Sequence, residues 1–323
     1  MVSSRSSILL LIASQLLALL PSTSYVLASP SKWPDVQPLE REILGSATSP
    51  RPKLGKRASG YNNPADNGGY MLTIVNGTYP AGLGEPLNVI LSADSDKEVL
   101  VKSTDEGGFL NYMLVAGLGE ECLGQHLGSI QEANLGDNQG NVSEVEELRY
   151  NYGNPYIGTC QETFNGGLHL RYWIQNTTNA YFMAVSVEMD LNSGHDIVSN
   201  GYNIGRDQLI GNLTGTTIET KNLTNTSTFS GTGTYMNYTY QTDVQYVSGL
   251  LKNSSDDINH YITVEEDGLP AIDGLVAVLT VKITDRPPSS GAWSTISGAP
   301  FIALLLPLLF TSLSPLSSPF SNF

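Results

Sequence analysis

Positive charge is scarce in this chain. Its 323 residues carry 16 Lys+Arg against 31 Asp+Glu, and positions 58–285 hold only 8 basic against 28 acidic side chains, a balance of −20. Such a surface repels phosphate backbones and anionic headgroups, which excludes a sequence-independent nucleic-acid binder. Thiols are rarer still, with only Cys122 and Cys160. The sequence has no G-x-S-x-G elbow, no H-E-x-x-H, no Walker loop and no dinucleotide fingerprint, so no cofactor is expected. Gly201-Tyr202-Asn203-Ile204-Gly205 is only a Gly-bounded loop. No repeat with a 20–50 residue period is visible. What is present, 40% apolar residues with 16 Tyr and 8 Phe, suffices for one sizeable core.

Both ends read as processing segments. Residues 1–28 have the form of a secretory signal: Arg5, an apolar run over 8–20, and Val26-Leu27-Ala28 as a small-residue cleavage site. Residues 29–57 are a Pro/Ser-rich linker or pro-segment ending in the dibasic pair Lys56-Arg57. The 286–323 tail has no charge after Arg286. It combines small residues (Ser289-Ser290-Gly291-Ala292), a polar spacer and the greasy FIALLLPLLF of 301–310. Those are the parts of a GPI-anchor signal, the one route to a membrane that the sequence offers; the alternative is a plain tail. Ten apolar residues interrupted by Pro307 are too few to span a bilayer.

In a chain that enters an oxidising compartment, pairing of Cys122 with Cys160 is the default. The alternative is a catalytic thiol, which would need one of them free. N-x-[ST] sequons start at Asn76, Asn141, Asn176, Asn212, Asn222, Asn225, Asn237 and Asn253. Four fall within the Thr/Asn/Gly-rich stretch 212–237, which reads as a solvent-facing excursion.

The globular part, 58–285, reads as one α+β domain with a mainly antiparallel or mixed sheet and a few short helices. Strands are expected at 86–91, 145–152, 237–247, 261–265 and 275–284, and a hairpin from 168–173 and 181–189. Helices are expected over 108–118 and 205–213, the latter with Asp207 in its first turn.

This globular part contains just three arginines, Arg149, Arg171 and Arg206. On a strand, His169, Arg171 and Trp173 share one face. A functional reading makes His169, His195 and Asp207 acid/base or orienting groups, with Arg171, Arg206 and Trp173 holding a small polar or carbohydrate ligand. The structural alternative is that the arginines pair with internal acids such as Asp190 or Asp207 and fix the hairpin. His169, His195 and Asp190 lack tight metal-ligand spacing, so no metal is assigned. His126 and His260 read as ordinary polar residues.

Several segments together resemble the LssY C-terminal-like domain family and, more closely, secreted proteins of basidiomycete fungi. They are Leu87-Asn88-Val89-Ile90-Leu91, Ala116-Gly117-Leu118, Gly167-Leu168-His169-Leu170-Arg171-Tyr172-Trp173, the 182–190 run that closes on Asp190, and His195-Asp196-Ile197 with Gly205-Arg206-Asp207. The resemblance covers about 84–213, with weaker support to 283. It implies that His169, Arg171, His195, Arg206 and Asp207 form one spatial cluster, and it implies no reaction. In bacteria such domains accompany membrane domains of the phosphatidic-acid phosphatase type, and this chain shows no multi-span region of that kind. Two readings follow: an exported binding or surface-coat glycoprotein, or an extracellular hydrolase acting on an ester or glycan.

Overall fold

The alternating apolar runs pair into a mixed eight-stranded sheet. The computed structural model describes residues 60–124 and 129–288. The signal segment 1–28, the linker 29–57, the tail from 289 onward and His126 lie outside them. The strands are β1 Val89–Leu91, β2 Leu118–Glu120, β3 Glu146–Tyr150, β4 Gly167–Ile174, β5 Tyr181–Glu188, β6 Thr228–Tyr235, β7 Tyr238–Val247 and β8 Val276–Asp285. Their spatial order is β2-β3-β4-β5-β1-β8-β7-β6. Every neighbouring pair is antiparallel except β1 with β8. Helices α1 Phe109–Val115, α2 Gly158–Asn165, α3 Gly201–Thr214 and α4 Tyr261–Val264 complete a single α+β domain.

Period-two alternation sorts the sheet into two cores. Val89 and Leu91, Leu170 and Tyr172, Met183 and Val185, and Ala277 and Leu279 face a first core closed by Phe109 and Met113 of α1 and by Leu209 and Leu213 of α3. The intervening residues Ile90, Trp173, Phe182, Ala184, Val276 and Val278 face a second, covered by Met71, Leu135, Ile258 and Val264. Fully burying side chains of this size contributes about 1.5–3 kcal/mol each, so the alternation pins the register. A one-residue slip would exchange the two faces.

The expected hairpin forms over all of β4 and β5, from Gly167↔Glu188 to Ile174↔Tyr181. Four other elements differ from expectation. Helix α1 stops at Val115, and Gly117, in the left-handed region at φ 76°, turns the chain so that Leu118 opens β2. Helix α3 starts four residues before Gly205, which puts Asp207 in its second turn. Part of the stretch expected as a glycan-bearing excursion is edge strand β6, paired with β7 from Thr228↔Gln245 to Tyr235↔Tyr238. Residues 261–264 form helix α4 instead of a strand, entered through His260 at φ 58°.

The sheet is incomplete at its centre. On its β5 side, the three residues of β1 reach no further than Tyr181–Met183. Beyond them the Asn88 side chain takes over, accepting from Val185 N at 3.0 Å and donating to Val185 O at 2.9 Å. The N-terminal half of α3 fills the remaining space. Gly205 lies so close to Ser186 that a Cβ there would fall 2.6 Å from the strand backbone, which is why this helix position tolerates no side chain.

Cys122 and Cys160 form a disulfide that ties the segment after β2 to α2. Among the described residues no helix is long and apolar enough to cross a membrane.

Candidate functional site

Three adjacent strands place their polar residues on the second-core face of the sheet. Strand β3 contributes Glu147 and Arg149, β4 contributes His169 and Arg171, and β5 contributes Ser186 and Glu188. The register sets Glu147 opposite Arg171, Arg149 opposite His169, and His169 opposite Ser186. Arg171 grips Glu144 with Nη1 at 2.7 and 2.8 Å and reaches Glu147 Oε2 at 2.6 Å. Arg149 donates to Glu162 at 2.9 Å, Glu188 at 3.2 Å and Glu121 at 3.4 Å, and also contacts Glu147. His169 lies between Glu147 Oε1 at 2.9 Å and Glu188 Oε1 at 3.6 Å.

The electrostatics follow from that packing. Burial opposes a charged imidazole, yet Glu188 and Glu147 outweigh it and raise the His169 pKa. Burial likewise opposes the Glu147 carboxylate, but His169, Arg171 and Arg149 hold its pKa down to about 2. Glu162 goes the other way: burial outweighs Arg149 and raises its pKa.

The cluster predicts a pH optimum for stability. The raised His169 contributes stability fully below its unfolded pKa of about 6.5 and loses it as pH climbs through the folded value. Glu162 is raised too, so its contribution falls as pH rises beyond about 4.5. The depressed Glu147 contributes above about 4.5 and is lost as pH falls toward 2. Resistance to urea should therefore peak between about pH 4.5 and 6.5, and His169→Gln should flatten the alkaline limb. A maximum at pH 8 or above would contradict this assignment.

Arg206 and Asp207 belong to a different network. All five guanidinium N–H groups of Arg206 are spent: on Asp207 at 2.7 and 3.1 Å, on Asp273 at 2.7 and 2.8 Å, and on Leu275 O at 2.8 Å. The guanidinium lies 5.1 Å from the Tyr246 ring centre, and Tyr246 donates to Asp207 at 2.8 Å. The two networks share no partner among the described residues, so the expected five-residue cluster divides. His169, Arg171 and His195 gather around Glu147 and Glu188, whereas Arg206 and Asp207 brace α3 against the start of β8.

Burial corrects several expected roles. Arg206 is wholly buried with no donor left for a ligand. Asp207 is 3% exposed and saturated by Arg206 and Tyr246. Trp173 is fully buried in the second core and donates to Val142 O at 3.2 Å, which leaves no ring face for a sugar. His169, 2% exposed, is enclosed by its glutamates and cannot act directly on a substrate. Asp190 caps a turn by accepting from Ser193 N.

His195 and Arg171 do meet at a cavity of about 470 Å³, together with Glu85, Gln131, Glu188 and His260. His195 Nδ1 is 3.5 Å from Glu188 Oε2, and His260 Nδ1 is 2.6 Å from Asp196. Both histidines have left-handed backbones, φ 54° and 58°. Such strain costs of order 1 kcal/mol or more and tends to gather at functional sites. Three buried polar atoms of this lining have no hydrogen-bond partner among the described residues, Arg171 Nε, Gln131 Oε1 and His195 Nδ1. Gln131 is oriented by its Nε2, which donates to Glu85 at 2.7 Å. Gln131, Glu85, Glu188 and His260 were not legible as site residues in the sequence; only the rarity of histidine singled out His260 at all. Among the described residues no group of three or more His, Cys, Asp or Glu side chains is arranged to hold a metal ion.

The chain matches no protein-family model, no curated protein and no solved structure. All eight sequon asparagines lie on the exposed surface.

Proposed function

We propose that the protein is an exported, N-glycosylated binding module, free or tethered at the cell surface, whose cavity takes a small polyhydroxylated ligand. One observation carries the reading: the cavity lining presents a buried donor, Arg171 Nε, and a buried acceptor, Gln131 Oε1, neither of them partnered. A hydroxyl group both donates and accepts, so it satisfies both atoms, each of which otherwise costs about 1–3 kcal/mol. Export is supported by the signal-like 1–28 segment, by the disulfide and by the exposure of every sequon. An LssY C-terminal-like relationship belongs to the same proposal, with His169 and Arg171 as braces of the cavity wall.

A hydrolase needs a base free to reach its substrate. Of the three expected acid/base groups, His169 is enclosed and Asp207 is taken up by Arg206 and Tyr246, which leaves His195 alone at the cavity, so the binding reading is favoured. The test is a screen of mono- and disaccharides by calorimetry on protein recovered from the medium of a secreting host. A saturable ligand should lose at least about tenfold in affinity with Gln131→Leu, roughly the cost of one unmade buried hydrogen bond. Retention of the protein inside the cell would overturn export. Failure of every sugar, or equal binding by the variant, would overturn the site; sugar or ester turnover lost in His195→Ala would replace it with the hydrolase.

A further inference from the structure

The geometry points to a second binding site, between α1 and the β2–β3 edge of the sheet, for an organic cation: a protonated amine carried on an apolar body. The site is a cavity of about 540 Å³ on the first-core side, apart from the polyol cavity. Five acids line it, Asp105, Glu120, Glu121, Glu146 and Glu147, and no Lys, Arg or His does. Glu121 and Glu147 are engaged by Arg149. Glu120 and Glu146 share a face because Glu120 pairs with Leu148, two residues along β3 from Glu146.

The second observation is Asn111. It is 1% exposed and lines the cavity, and its Nδ2 is spent on Tyr240 Oη at 2.6 Å and Tyr235 O at 3.3 Å. Its Oδ1 has no partner among the described residues. Beside Glu121 and Glu147 the lining therefore holds the carboxyls of Asp105, Glu120 and Glu146 and an orphaned amide oxygen, with no cationic side chain among them. An alkylammonium brings a positive charge, three N–H donors and no acceptor, which suits that acidic, acceptor-rich lining. An anion is repelled, and an alcohol supplies a single donor. Leu110, Leu114, Leu118 and Met236 supply apolar wall for the hydrocarbon body.

Glu146 already shows what a cation does there. Lys102 Nζ, on a side chain 42% exposed, lies 3.2 Å from it, and Tyr172 donates to it at 3.1 Å. Burial and the hydrogen bond from Glu120 nevertheless raise its pKa above the ordinary value.

The test is calorimetry of the full chain with n-hexylamine, n-hexanol and hexanoate at pH 8 and fixed ionic strength. Hexylamine should bind one to one, with the alcohol and the acid at least about tenfold weaker. Glu120→Gln, at an exposed position, should weaken hexylamine at least about tenfold, and Asn111→Leu should weaken it likewise. Lys102→Met should tighten it by removing a competitor for Glu146. No saturable binding of hexylamine would overturn the site, as would equal binding of hexanol or wild-type affinity in Glu120→Gln. Should Asn111→Leu fail to fold, Glu120→Gln decides alone.

Discussion

Replacing Arg206 with methionine should cost about 3–5 kcal/mol, read as a lower urea midpoint at unchanged slope. Methionine replaces the aliphatic stem of the side chain but none of its five donors. The cost therefore falls on what is left behind. Asp207, 3% exposed, would keep only the Tyr246 hydroxyl, and Leu275 O would lose its partner inside the core. Asp273 would retain the Leu275 N–H at 2.9 Å but no counter-charge. Domains are stable by only about 5–15 kcal/mol, so this single change removes a large share. Arg206→Lys should recover little, because an ammonium has three donors and no fork to grip two carboxylates side by side. Adding Asp207→Asn and Asp273→Asn to Arg206→Met should restore part of the loss, since the cost lies in unpaired charge. A variant within 1 kcal/mol of wild type would show that the network braces nothing.

How much of this could be read beforehand depends on whether the signal was local. The β4–β5 hairpin was legible because Leu168, Leu170 and Tyr172 alternate with polar residues and the polar turn between the strands is short. Strand β6 was not, since Thr-Phe-Ser-Gly-Thr-Gly-Thr-Tyr sits on a sheet edge and buries little, so it carries almost no apolar period. Residues 261–264 are too few to separate a helical turn from a strand, and the deciding feature, His260 in the left-handed region, is not a property of the side-chain pattern. The start of α3 was hidden by glycines that disfavour helix in isolation; close packing of Gly205 on Ser186 explains their use. The site follows the same rule. That three arginines in an acidic domain would be engaged was foreseeable, but their partners were not. Asp273 is 67 positions from Arg206, and Glu147 meets Arg171 only through the β3–β4 register. With 28 acids available, composition cannot choose among them.

Arg149→Met should be about as costly as Arg206→Met at neutral pH, about 3–5 kcal/mol, but with a different pH signature. Arg149 is held by Glu121, Glu147, Glu162 and Glu188. Its loss leaves these four carboxylates without that counter-charge, with Arg171 as the remaining arginine of the cluster. Like charges at such spacing favour protonation. Glu162, wholly buried and already raised by its burial, would be the first to neutralise. The variant should therefore regain stability on acidification, with its deficit shrinking steadily from pH 8 to pH 5 in urea titrations. A deficit that grew on acidification would mean that the carboxylates are not the source of the cost. Glu162→Gln added to Arg149→Met should recover at least about 1 kcal/mol at pH 8, while Glu162→Gln alone should destabilise by stripping Arg149 of a partner. Opposite signs in the two backgrounds are what a coupled cluster requires, because residues sharing partners are not additive. Additive effects would instead mean that Arg149 and Glu162 act independently, and that the polar face beneath the cavity is a set of separate pairs instead of one unit.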